Sequence, residues 1–244
     1  MPGSDRSYPS VWTRPPRKER STLTREQIVS EAVRLLDSEG IEALSMRKLA
    51  ARLEAGATSI YWHVANRDEL IDLIIDEIYG ELEVPDPDDT PDWRPAVRRV
   101  AHDMRSGILR HPWMVSVLDH LAAVHMGPNA TRLSERLIGL FQNAGFELRE
   151  AERALSTVSA YVIGSAMAEA AFRNWLVRHG QSEQDWLAES QRVAERATEN
   201  YPRLRELVAG YEGVDVQKTM DEDFDYGLDC VLDGLQARLD SRPA

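Results

Sequence analysis

The sequence predicts an all-α protein, on three observations. After Leu23, apolar residues recur at i, i+3, i+4 and i+7 along most of the chain, and no β-branched run alternates long enough to support a sheet. Helix-start pairs, Thr24 with Gln27 and Asn66 with Glu69, stand directly before such stripes. No internal repeat of roughly 20–50 residues is present, so solenoids and propellers are set aside.

The chain has 244 residues and is 43% apolar, enough to bury a core. Its one cysteine, Cys230, leaves no intrachain disulfide and no multi-cysteine zinc site, which fits a reducing, cytoplasmic setting. Met1 to Tyr8 is polar, so no cleavable signal is expected. The longest uncharged run, Ala154 to Ala168, has 15 residues. That is short of the roughly 20 that span a bilayer, so no membrane partner is expected. The net charge of −12 is unevenly spread. Residues 1–67 carry 11 basic and 8 acidic side chains, whereas residues 68–244 carry 18 basic and 33 acidic ones. A basic head on an acidic body predicts that only the head approaches phosphate.

Residues 1–22 read as a flexible basic arm, broken by Pro2, Pro9, Pro15 and Pro16. Arg14, Arg17, Lys18 and Arg20 are opposed there only by Glu19. The cluster suits either a solvated tail or an arm that follows a phosphate backbone or enters a minor groove. A helix follows from the Thr24–Gln27 capping box, with Ile28, Val29, Ala32, Leu35 and Leu36 as its apolar stripe and Gly40 as its stop. A second, short helix starts at the N-cap Ser45 and buries Leu49, Ala50 and Leu53. Glu54-Ala55-Gly56-Ala57 breaks it, and a third helix runs from Thr58 to His63 or Val64. Asn66 caps a fourth, bearing Leu70, Leu73, Ile74 and Ile78. Two short helices across a tight glycine-containing turn, braced by an earlier helix, describe a helix-turn-helix unit over residues 23–80. Glu83 to Pro95, rich in proline and aspartate, reads as an acidic hinge. Helices are then expected over about 96–110, 113–122, 130–144, 149–179, 183–200 and 221–240, within a larger helical bundle spanning 81–244.

In the third helix, Ile60 and Val64 are i, i+4 partners expected to face inward, which leaves Thr58, Ser59, Tyr61, Trp62 and His63 for a groove and its walls. Ser45-Met46-Arg47-Lys48-Leu49-Ala50, Ile60-Tyr61-Trp62-His63-Val64 and Asn66-Arg67-Asp68-Glu69-Leu70 together resemble the DNA-binding domain of the TetR family of bacterial transcriptional repressors. The Tyr-Trp-His-Val string is nearest to the tetracycline repressors within it. The resemblance covers residues 23–80 and implies a role for each matching position. Arg47 is implied as a base-reading arginine, and Ala57, Thr58 and Ser59 as the base-facing start of the recognition helix. Tyr61, His63 and Arg67 are implied as phosphate or sugar contacts, and Trp62 as a groove-side or packing residue. Packing roles for Tyr61 and Trp62, a satisfied surface histidine at His63 and a solvated helix arginine at Arg47 remain the alternatives. Tetracycline repressors carry a polar residue and a proline at the positions of Ala57 and Thr58, and glycine at that of Glu54. A different operator is therefore implied.

For the acidic body the resemblance implies a bundle that dimerises and holds a small molecule. Ala151 to Trp175, rich in small residues, and the amphipathic stretch Phe224 to Leu239 are the implied homodimer helices; packing within one subunit is the alternative. Dimerisation also has a physical motive, because two half-sites about 34 Å apart combine two short readings on one pseudopalindrome. Trp113, Met114, Val117, Leu118, Val124, Met126 and Phe141 are candidate lining residues of an apolar cavity, with Tyr161, Met167, Phe172 and Trp175 to close it. Each is more often plain core than ligand contact, because aromatic and Met stripes usually just pack. Val124-His125-Met126-Gly127 resembles the segment that supplies a metal-binding histidine in tetracycline repressors, but Pro128 and Asn129 depart from that pattern. A lone histidine is a poor magnesium ligand, so His125 is read as a pocket or loop residue and no metal or cofactor is expected. Nucleotide-binding, nucleophile-elbow and zincin motifs are missing from the chain, so an enzyme is not expected. The reading is a DNA-binding repressor released from a double-stranded operator by a small apolar inducer. A regulator controlled by a protein partner, or an activator without an inducer, is the alternative.

Overall fold

The computed structural model describes residues 23–117, 127–211 and 213–241. Among these residues there are helices and turns and no strand, as the periodicity predicts. They divide into two compact units, one reaching to Leu155 and one beginning at Ser156.

The first unit opens with α1 (Arg25–Glu39), started by the expected reciprocal capping box. Gln27 N–H donates to Thr24 Oγ1 at 3.2 Å, and Thr24 N–H donates to Gln27 Oε1 at 2.9 Å. Gly40 ends the helix at φ 76°, a left-handed backbone that favours glycine. Helix α2 (Met46–Arg52) is capped by Ser45, whose hydroxyl accepts from Lys48 N–H. Helix α3 (Ala57–His63) starts one residue earlier than the sequence suggests, directly after Gly56. Glu54 opens the intervening turn at φ 50°, a strained position for a residue with a side chain. Helix α4 (Arg67–Gly80) is capped by Asn66, which accepts from Glu69 N–H at 2.8 Å.

The proline-rich hinge contains one 3₁₀ turn, Pro87–Asp89. Helix α5 (Trp93–Arg110) begins three residues before the expected start, because the Asp92 carboxylate accepts from Arg94 N–H and Pro95 falls in the first turn, where no N–H is needed. The helix expected over 113–122 is corrected: Pro112–Val117 is 3₁₀, and residues 118–122 lie outside the described residues. Helix α6 (Pro128–Asn143) starts two residues early, with proline at its first position. Trp93, Phe141 and Phe146 build an aromatic core, with ring centroids 5.5–5.9 Å apart.

Helix α7 (Leu148–His179) crosses from the first unit into the second. By length and composition it is apolar enough to cross a membrane, which corrects the estimate drawn from the uncharged run alone. Its one central carboxylate, Glu169, is 7% exposed and accepts from Arg173 at 2.6 Å, while Arg173 also donates to Gln217. A charge buried and paired with protein groups is the mark of a helix packed inside a folded domain. The expected helix 183–200 is found as α8 (Glu183–Ala197), and a further helix, α9 (Pro202–Ala209), follows that the sequence reading did not expect. Proline at 202 disfavours helical backbone at Tyr201 and suits a new first turn. Helix α10 (Val216–Asp240) begins five residues before the expected Asp221, since Asp215 accepts from Lys218 N–H. It packs on α7 through Phe224, and Tyr161 O–H donates to the Phe224 carbonyl at 2.8 Å.

Candidate nucleic-acid interface

Helix α3 divides its residues as the sequence predicts. Ile60 and the following Val64 are fully buried, whereas Tyr61 is 48% and Trp62 is 61% exposed. Two large aromatics held on the surface next to a buried spine are not acting as core. Thr58 is exposed, and Ala57, Ser59 and His63 are half-buried. His63 lies within electrostatic range of Glu26 on the first turn of α1. The Glu26 carboxyl is held below its ordinary range, chiefly by a backbone N–H and the Thr24 hydroxyl, with smaller help from Arg25 and His63.

The cations of α2 are sorted by face. Lys48 and Arg52, one turn apart, turn toward α1. Arg52 Nε meets Glu31 at 2.5 Å, Arg52 Nη1 meets Glu39 at 3.3 Å, and Lys48 pairs with Glu39. The Lys48 hydrogen bond is the main reason the Glu39 carboxyl lies below its ordinary range. Arg47 points elsewhere. It is exposed and forms no hydrogen bond or ion pair among the described residues, and the same holds for Arg67 at the start of α4. Two guanidinium groups thus remain available to a polyanion beside the exposed aromatics of α3. Arg17 and Lys18 lie outside the described residues.

Two polar ties that the sequence reading missed join these helices to the rest of the first unit. Asp76, 5% exposed on the inner face of α4, accepts from the N–H groups of Asn129 at 3.1 Å and Ala130 at 3.0 Å, and its Oδ2 from Asn129 Nδ2 at 3.1 Å. A carboxylate 53 residues distant thereby caps α6, whose own N-cap is Gly127 and supplies no side chain. Asp76 also adds to burial in pushing the Tyr79 hydroxyl above its ordinary pKa. The second tie joins Asp37 of α1 to the end of α5, with Asp37 Oδ1 2.7 Å from His111 Nδ1 and 2.8 Å from Trp113 Nε1. The signal for Asp76 was present in the sequence: an acid three residues after Leu73, on the apolar stripe of α4.

The candidate pocket residues fall into the two units. In the first, Trp113 is buried with its indole N–H given to Asp37, Val117 is buried, and Phe141 packs between Trp93 and Phe146. In the second, Tyr161 is bonded to the α10 backbone, Phe172 meets Trp186 edge-on at 4.6 Å, and Trp175 stacks on His179 at 4.2 Å. Trp175 also lines an open groove with Gln181, Trp186, Glu189 and Val193. His125 lies outside the described residues.

Comparison with known proteins agrees with this architecture. Residues 28–74 match the family described as bacterial regulatory proteins, tetR family, and residues 84–239 match the tetracyclin repressor-like C-terminal domain. An HTH-type transcriptional regulator of Saccharopolyspora erythraea is 41% identical over 68% of this chain and 70% of its own length. The HTH-type transcriptional repressor DrrR1 of Streptomyces coeruleorubidus is 30% identical over 94% of this chain and 83% of its own. Among solved structures, the Streptomyces coelicolor TetR family protein ActR in complex with actinorhodin superposes with a TM-score of 0.74 at 30% identity, covering 89% of this chain and 97% of that one. The exposed recognition helix, its helix-turn-helix scaffold and the helical body that follows it in the chain belong to one lineage: this chain is a member of the TetR family of helix-turn-helix transcriptional regulators.

Proposed function

We propose that this protein is a repressor that binds a pseudopalindromic DNA operator as a homodimer and leaves it when a small apolar ligand occupies its body. One observation carries the reading. Arg47 and Arg67 stand exposed and without partners among the described residues around a recognition helix that displays Tyr61 and Trp62, while the neighbouring Lys48 and Arg52 are neutralised by α1. In this reading Arg47 reads a base edge, with Ala57, Thr58 and Ser59 at the groove floor. Tyr61, His63 and Arg67 hold the backbone, Trp62 lies along the groove wall, and Arg17 and Lys18 of the arm follow the phosphates. The division of labour is an arm at 1–22, a DNA-binding domain at 23–80 and a regulatory domain at 81–244.

Exposure of small residues along one face of α7 (Ala160, Gly164, Ala168), and of Tyr226, Cys230, Gly234 and Ala237 along one face of α10, supports a second copy as their partner. Faces packed wholly within one subunit would be covered. ActR's complex with actinorhodin supports a small-molecule ligand for the body, with Trp113, Val117, His125, Phe141, Tyr161, Phe172 and Trp175 as candidate contacts. A ligand that binds one arrangement of the body better than another shifts the heads by roughly 1–3 kcal/mol of coupling. The Asp76 and Asp37 ties are the route by which that shift reaches α4 and α1.

The test is a salt-titrated selection of DNA sites from a random pool, with the solution mass of the protein measured alongside. The expected result is a two-fold symmetric motif bound by a dimer, with affinity falling steeply as salt rises. A folded dimer that enriches no motif at moderate salt would remove base reading from α3.

A further inference from the structure

A cleft of about 580 Å³ lies outside the helix-turn-helix, between the α4–α5 hinge and α6. Its floor carries a narrow apolar strip, the edges of Leu82, Val84 and Leu133, within a largely polar lining. Three arginines surround that floor: Arg99 from α5, and Arg132 and Arg136 one turn apart on α6. Their states differ. Arg136 Nη1 donates to the Val84 carbonyl at 2.6 Å, which holds its guanidinium against the hinge and leaves its other N–H groups without partners among the described residues. Among the described residues Arg99 makes only loose ion pairs, with Glu83 at 3.4 Å and Asp103 at 3.8 Å. Arg132 is exposed and has no partner among the described residues. The two acids of the cleft answer these charges weakly. The Glu83 side chain is 86% exposed, and Asp86 is exposed and engaged in capping its own 3₁₀ turn.

In residues 68–244 acids outnumber bases by 33 to 18, and three of those bases line this one cleft. We infer that this cleft is a binding site for a small amphipathic carboxylate, whose apolar body lies on Leu82, Val84 and Leu133 and whose carboxylate is held by Arg132 with Arg99 and Arg136. Guanidinium groups take carboxylates through paired, charge-assisted hydrogen bonds. The apolar strip distinguishes such a ligand from a bare anion. The site is separate from the candidate pocket residues above. It adjoins the end of α4, where the space beside Gly80 is filled by the Asn129 side chain, so an occupant would brace the junction of α4 with α6.

The experiment is calorimetric titration of the full chain, without DNA, with 2-naphthoate, its neutral methyl ester and inorganic phosphate. The same titrations are made on Arg132→Gln and Arg99→Gln. Both side chains are solvent-exposed, so neither change threatens folding, and unchanged melting temperatures check this. The wild type is expected to bind the acid about tenfold more tightly than the ester or phosphate, and each variant to lose about tenfold for the acid alone. Equal affinity for acid and ester, equal affinity for phosphate, unaltered binding in both variants, or no heat at millimolar acid would each overturn the assignment. Because no operator enters the measurement, its failure leaves the repressor reading untouched, and failure of that reading leaves this site standing.

Discussion

The two ends of α4 treat charge in opposite ways. At its start Arg67 is exposed and unpaired among the described residues, next to the displayed aromatics of α3. Two and a half turns on, on the opposite side of the helix, Asp76 is buried and both its oxygens are occupied by the first turn of α6. One helix therefore presents an unsatisfied cation to the outside and a fully satisfied anion to the inside. The difference separates recognition from construction. A group kept for a partner is left without an internal one, whereas a group that holds helices together is desolvated and saturated.

The largest effect should come from breaking the inner end. Asp76→Ala leaves the Asn129 and Ala130 N–H groups without their carboxylate acceptor, while the Asn129 amide keeps only the backbone carbonyl of residue 76, so unfolding in urea should show a loss of about 3 kcal/mol. A loss under ~0.5 kcal/mol would mean that water replaces the carboxylate and the tie is not structural. At the outer end, Arg47→Ala should leave stability unchanged and cost about 1–3 kcal/mol of base discrimination at one operator position, read from a panel of substituted sites. Arg67→Ala should weaken all sequences alike and lower the salt slope by about one, which a filter-binding series in salt resolves. If both arginine variants lose affinity uniformly, the division into reading and positioning residues is wrong.

The smallest expected effect concerns acid sensitivity. Because the Glu26 carboxyl is depressed below its ordinary 4.5 in the folded state, its contribution is present above that value and is lost as pH falls through the folded value. Glu26→Gln should flatten the stability–pH curve slightly below about pH 4.5 and leave it unaltered at neutral pH. Equal acid-limb slopes for the two proteins would count against the Thr24 and backbone bonds as the cause.

The start of the chain was legible residue by residue because its signals are local. The capping box at Thr24, the caps at Ser45 and Asn66 and the inward pair Ile60 and Val64 each involve groups within four residues. Legibility fell where a helix boundary depended on a distant partner or on a neglected local rule. The early start of α6 depends on Asp76, and the missed helix α9 starts at Pro202, a local helix-start signal. The pocket was the least legible part. An aromatic stripe looks the same in sequence whether it packs, as Phe141 does with Trp93 and Phe146, or lines a groove, as Trp175 does.

The sequence by itself determined the all-α class, the helix-turn-helix, its inward and outward faces and the family, because periodicity and capping are written in neighbouring residues. Tertiary structure alone decided which charges are free. Lys48 and Arg52 are neutralised by Glu31 and Glu39 while Arg47 is not, Asp37 meets His111 across 74 residues, and Asp76 meets Asn129 across 53. The physical reason is that pairing requires proximity in space, and chain folding brings together residues whose separation in sequence carries no periodic trace.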